Sequence, residues 1–122
     1  MRRGYLDAMT VEQLLDASAV RLRAEDVGGV EVTINMEVTD RDEIWRVQVS
    51  NRTMHAVPRP ADAPDATLRV THDLLVDLSA EETTISDAVS NGRASVDGDL
   101  AAARAVFDHL DVFESMFAIV EP

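Results

Sequence analysis

Residues 30–38, VEVTINMEV, put Val30, Val32, Ile34, Met36 and Val38 at every second position. Side chains of an extended chain point alternately to its two faces, whereas residues sharing one face of a helix recur every three to four positions. The stretch is therefore a strand with one buried face. TDRDE follows with turn chemistry, and IWRVQV alternates again through Trp45, Val47 and Val49, so the two strands read as a hairpin. A sheet with one apolar face must be covered by a second layer, and the remaining chain supplies helices for it.

TVEQLLDASAVRL begins with Thr10 and has Gln13 three residues on, the pattern of a capping box, and Val11, Leu14, Leu15, Ala19 and Leu22 recur at helical spacing. Gly28 and Gly29 end the connection to the first strand. After the hairpin, SNRT makes a turn with Asn51 suited to a positive φ, and a short strand, TMHAV, stops at Pro58. PRPADAPD, residues 58–65, holds three prolines and is a loop. ATLRVT gives a fourth strand through Ala66, Leu68 and Val70, after which Thr71 caps a short helix over HDLLVDLSA. Thr83 or Thr84 caps another, carrying Ile85, Ala88 and Val89, and Asn91-Gly92 ends it as a left-handed C-cap. RASV is extended again, and LAAARAVFDHL is a helix with Leu100, Ala103, Val106, Phe107 and Leu110 on its apolar side. This order predicts an α+β domain, a sheet of about five mostly antiparallel strands covered on one face by helices.

A chain of 122 residues is long enough for one domain with one core. Its 46% hydrophobic and 28% charged residues are ordinary globular composition, and no apolar run approaches the roughly 18–20 residues of a membrane span. MRRGYLDAMT lacks the apolar segment of about 7–15 residues that a secretory signal carries. A cytoplasmic location is the expectation for the polypeptide as given, although a larger parent chain could be exported. The absence of cysteine removes disulfides, thiolate nucleophiles and Cys-based metal sites together. A formal charge of −12 makes nucleic acid a poor partner, because such binding draws on clustered Lys and Arg.

The stretch ASVDGDLAAARAVF, with its glycine between two aspartates, offers a choice between a phosphate loop opening a helix and a strand turning into a capped one. A phosphate loop needs free amides and a basic residue, whereas Asp97 and Asp99 would meet an anion with negative charge. The capped turn is the better reading, with Asp97 or Asp99 as the cap. His55, His72 and His109 lack a paired spacing such as H-x-H, so a metal site has little support, and no cofactor is expected. Asp40 with Asp42 and Asp97 with Asp99 are carboxylate pairs in turns, where capping and solvation are their ordinary roles. No Gly-x-Ser-x-Gly elbow is present, and nucleophilic catalysis has no support.

Three stretches together carry a family resemblance: TLRVTHDLL, NGRASVDGD and the closing LDVFESMFAIVEP, in that order and spacing. With TVEQLLDASAVRL before them, they resemble the C-terminal domain of alkyl sulfatases, a branch of the sterol-carrier-protein-like fold. The resemblance implies a single sterol-carrier-like domain over residues 10–122, with residues 1–9 similar to the end of a preceding helical domain. It also implies a non-catalytic module that binds an alkyl chain, fatty acid or lipid, beside a zinc-dependent hydrolase domain in a parent chain or another copy of itself. This chain has Asn51-Arg52 where the family usually has Asn-Gly, and SAEE where it usually has a glycine before TTISDA.

The candidate ligand-binding residues are Met36, Trp45, Leu75, Phe107, Phe113, Met116 and Phe117. Packed core is the default for such side chains, and the alternative is that they line a tunnel between sheet and helices, a role suited to the flexible thioether of methionine. A filled cavity would instead leave a protein-interaction or structural module. Arg46, Arg69 and Arg93 are the basic residues that could meet an anionic headgroup at a pocket entrance.

Overall fold

The computed structural model describes residues 6–22 and 27–108. Helix α1 (Val11–Arg21) starts with the capping box: the Thr10 hydroxyl accepts from the Gln13 amide at 3.1 Å, and the Gln13 side chain accepts from the Thr10 amide at 2.9 Å. Strands β1 (Val32–Val38), β2 (Glu43–Ser50) and β3 (Thr53–Val57) form an antiparallel meander. The alternating pattern of β1 runs two residues beyond the strand itself, which begins at Val32 rather than Val30. Between β2 and β3 the two-residue turn Asn51-Arg52 has φ of 51° and 64°, the left-handed pair a tight hairpin requires.

Strand β4 (Ala66–Val70) lies against β1 in parallel register, Ile34 opposite Ala66 and Val38 opposite Val70. Helices α2 (His72–Ser79) and α3 (Ile85–Ser90) follow, capped by Thr71 and Thr84, whose hydroxyls accept from the amides of Leu74 and Asp87, each at 3.1 Å. Strand β5 (Ser95–Gly98) returns antiparallel to β4 and leads into α4 (Leu100–Phe107). The sheet order is β3-β2-β1-β4-β5, so it is five-stranded and mixed, antiparallel except at the central β1–β4 seam.

One face of the sheet is apolar. Ile34, Met36, Val38, Trp45, Val47, Val49, Ala66, Leu68 and Val70 are all buried there, and α4 crosses it against β1, β2, β4 and β5 while α1 packs on β3 and α2. The other face carries Thr33, Asn35, Glu37, Arg46, Gln48 and Arg69 in register. Asn35 is buried on this polar side because the loop 58–65 folds over it: its amide nitrogen donates to the Ala61 carbonyl at 3.0 Å, and its oxygen accepts from the Ala61 amide at 2.7 Å. Asp65 continues the attachment, its amide donating to the Thr33 carbonyl and its carboxylate accepting from the Thr33 amide.

The choice at residues 97–99 is settled by geometry. Asp99 caps α4, accepting from the Ala101 amide at 2.9 Å, whereas Asp97 reaches from β5 to Arg69 on β4. The apolar side of α4 consists of Ala102, Ala103, Val106 and Phe107; Leu100, expected on it, is instead 38% exposed at the first position of the helix. Leu110, also expected on that side, lies outside the described residues. Leu6 and Met9 pack with the core, which therefore reaches into the segment before α1.

Candidate functional site

Helices α2 and α3 end in the same way, and the first of these ends shapes a pocket. After α2 the Glu81 amide donates to the Leu78 carbonyl at 3.2 Å and the Glu82 amide to that of Asp77 at 2.9 Å; after α3 the Gly92 amide donates to Val89 at 3.2 Å and that of Arg93 to Ala88 at 2.8 Å. Both are Schellman endings, which need a left-handed residue just past the cap. Gly92 meets that need with a φ of 81°, and Glu81 does so with a φ of 57°.

A pocket of about 410 Å³ opens where this α2 ending meets the end of α4. Its lining, among the described residues, is Leu78, Glu81, Thr83, Thr84, Phe107 and Asp108. Leu78 and Phe107 are buried and form the apolar wall, while Glu81 is exposed and Asp108 pairs with Arg104 at 3.0 Å, one helical turn back on α4. The Thr84 hydroxyl is engaged as the α3 cap; that of Thr83 donates to the Thr84 carbonyl at a long 3.5 Å.

Of the candidate ligand-binding residues, Met36 and Trp45 stand directly opposite each other on the helix-facing side of β1 and β2. The Trp45 indole donates to Glu43 at 2.8 Å, so its polar edge is satisfied while its ring is buried. Leu75 belongs to the same core from α2, and Phe107 joins that core to the pocket. Phe113, Met116 and Phe117 lie outside the described residues. Leu78, Glu81, Thr83, Thr84 and Asp108 were not legible as pocket residues in the sequence, where they are scattered polar and apolar positions of two connections. Thr84 stood out only as a helix cap.

The arginines expected to meet an anionic headgroup, Arg46, Arg69 and Arg93, do not line this pocket. Arg69 is held by Asp97 at 2.6 Å and by Glu37 at 3.3 Å, which together keep its guanidinium pKa above the ordinary value, the Asp97 hydrogen bond contributing most. Arg93 is held by Asp77 at 2.7 Å and by Asp73 at 3.7 Å. Both line a second hollow of about 280 Å³ beside the ends of β4 and α3, away from Phe107. Arg46 stands opposite Asn35 on the polar face of the sheet.

His72 is buried, its ring donating from Nε2 to the Met9 carbonyl at 2.7 Å and its amide donating to Asp40 at 2.8 Å, while His55 is exposed on β3 beside Thr53. His109 is outside the described residues. Among the described residues no three His, Asp or Glu side chains gather in a metal-holding cluster, and no helix is long and apolar enough to cross a membrane.

Comparison with known proteins gives consistent results. The family model described as alkyl sulfatase C-terminal matches residues 1–122. A linear primary-alkylsulfatase of a Pseudomonas species is 29% identical over 116 residues, which cover 94% of this chain and 17% of that protein. The chain thus spans about a sixth of the length of that curated relative. Among solved structures, a stereoselective inverting sec-alkylsulfatase from Pseudomonas sp. superposes with a TM-score of 0.80 at 23% identity, over 87% of this chain and 17% of that one. Palmitated SCP2L2 from Aedes aegypti superposes with a TM-score of 0.58 at 25% identity, over 84% of this chain and 99% of that one. The α+β fold with its single helical layer is therefore a sterol-carrier-like fold.

Proposed function

The chain belongs to the alkyl sulfatase C-terminal family, and we propose that it serves as a domain that takes up the alkyl chain of an amphiphile, without a catalytic step of its own. The observation that carries this reading is the pocket walled by Leu78 and Phe107, whose volume lies within the roughly 300–1,000 Å³ range of small-molecule sites. It supports uptake because Phe107 continues the apolar interior to the surface at that point. The fold shared with a palmitated protein supports it as well.

The mechanism is partition. Each methylene moved from water to an apolar wall contributes about 0.8 kcal/mol, or close to fourfold in affinity. A neighbouring zinc hydrolase domain of a parent chain would then find the amphiphile concentrated beside it. Calorimetry with a homologous series of alkyl amphiphiles, below their micelle concentrations, tests the reading. Affinity is expected to climb with chain length and to fall in Phe107→Ala; no binding at any length would refute it.

A second reading is favoured by one observation: Met36, Trp45 and Leu75 are buried with at most 6% exposure, so the space between sheet and helices is filled there. A domain closed in this way would serve to dock a neighbouring domain or a second copy of itself. Failure to bind any amphiphile, together with a concentration-dependent mass in solution, would favour it.

A further inference from the structure

The mouth of the Phe107 pocket carries charge of one sign. Its ionisable lining residues, among those described, are Glu81 and Asp108. Arg104, which pairs with Asp108, is not in the lining, and Arg69 and Arg93 are each engaged by two carboxylates at the other hollow. Among the described residues, then, no basic side chain lines this pocket, and the one cation beside it, Arg104, is engaged by Asp108.

Glu81 occupies its place against the backbone's preference. The equivalent position after α3 is glycine, and the left-handed region is unfavourable for a residue with a Cβ. Asn or Gly would end α2 at less cost. What Glu81 adds is an exposed carboxylate at the rim, where the nearby Thr83 hydroxyl is held only by its long bond to Thr84.

We propose that Glu81 sets headgroup selectivity at this pocket, which accepts alkyl chains ending in an uncharged hydrogen-bonding group, such as a primary alcohol, and rejects sulfate and carboxylate heads. This rests on the reading that the pocket takes an alkyl chain. An alcohol has a proton to give to the Glu81 carboxylate and a lone pair to receive from the Thr83 hydroxyl. A sulfate has no proton to give and repels the Glu81 carboxylate across a rim whose described lining residues include no basic side chain. An alcohol is also the molecule left when an alkyl sulfate ester has lost its sulfate.

The test uses the full chain and two probes of equal length, 1-decanol and decyl sulfate, titrated below their micelle or solubility limits at low and high salt. The intact protein is expected to bind decanol more tightly than decyl sulfate. Glu81→Gln and Glu81→Gly are each expected to tighten decyl sulfate by roughly two- to fivefold, the scale of one exposed charge interaction, with decanol changing less. Salt should shrink the difference between the intact protein and Glu81→Gln, because the interaction is exposed. If decyl sulfate binds the intact protein as tightly as decanol, or if both variants leave the ratio of the two affinities unchanged, the selectivity proposal falls while the alkyl-chain reading stands. If neither probe binds, both fall together.

Discussion

Gly98 sits where β5 turns into α4, with a φ of 98°, and a methyl group built on it would come within 2.6 Å of the Asp65 carbonyl oxygen and 3.1 Å of the Ala66 Cα. The obstacle is backbone, and it is fixed: Asp65 is bonded to Thr33 through both its amide, at 2.7 Å, and its carboxylate, at 2.9 Å, while its carbonyl accepts from the Asp99 amide at 3.0 Å. Gly98→Ala therefore incurs two penalties. The left-handed conformation costs an alanine about 1–2 kcal/mol, and clearing the overlap sacrifices one or two backbone hydrogen bonds worth about 1 kcal/mol each. Alanine recovers about 0.4–1 kcal/mol by narrowing the unfolded ensemble, leaving a net loss of about 2–3 kcal/mol. Gly92→Ala is the internal control, because Gly92 has a similar φ of 81° with nothing within 4 Å of the added methyl; its loss should be about 1 kcal/mol or less. Urea unfolding followed by the fluorescence of Trp45, the one tryptophan and a buried one, measures both. Comparing midpoints at a common slope separates stability from changes in compactness. If the two variants lose the same stability within about 0.5 kcal/mol, the close approach of β5 to Asp65 is not what requires glycine, and the reasoning fails.

Asn35→Ala removes both hydrogen bonds to Ala61 and leaves the half-buried Ala61 backbone groups without them, so a loss of about 1–2 kcal/mol is expected together with faster proteolytic cutting in residues 58–65; unchanged cutting would separate the loop from the clamp. Glu81→Gly relieves left-handed strain at the end of α2 and should raise stability by up to about 1 kcal/mol, or a few degrees in Tm; a fall in Tm would contradict the Schellman geometry. Arg69→Gln should lower the urea midpoint at low salt and much less at high salt, because the ion pairs with Glu37 and Asp97 are half-exposed. These partners raise the pKa of a group that is already a strong base, so on the basic side of neutrality the contribution is fully present up to the ordinary arginine range and is lost only as pH rises through the raised pKa. On the basic side, a dependence of this effect on pH between about 6 and 9 would implicate some other group.

Most of the architecture was legible because the sequence states it locally. Alternation marks Ile34, Met36, Val38, Trp45, Val47 and Val49, and all six are buried on one face. Thr10 with Gln13 and Thr71 mark helix starts and Gly92 marks an end, since the chemistry of a cap is complete within about four residues, whereas the choices between Thr83 and Thr84 and between Asp97 and Asp99 needed the backbone to decide them. The parallel seam was not legible, for the period of two that identifies β4 is the same whichever way its neighbour runs. Nor was the exposure of Leu100, for helical spacing places it on the apolar side, and spacing alone does not say how far along a helix its covering partner extends. The pocket is harder still, because Leu78 and Phe107 read as core while Glu81 and Thr83 read as loop. They meet only through the angle at which α4 crosses the sheet. The resemblance marked SAEE as standing where the family usually has a glycine, but not that Glu81 is the residue with a left-handed backbone there.

The parallel seam also orders the events of folding. Strands β1, β2 and β3 are joined by turns of four and two residues, so the meander closes short loops and can form while the rest of the chain is still unstructured. Strand β4 must find β1 across a separation of 32 positions, Ile34 to Ala66, with β3 and the proline loop in between. That search precedes any reward from its own contacts, which makes it the slower step in a chain of this topology. The Asn35–Ala61 clamp shortens the search, for once Ala61 is docked on β1 only residues 62–65 separate it from the start of β4. An amide on a sheet's polar face thereby acts as a guide for assembly, and its removal should slow refolding more than it speeds unfolding.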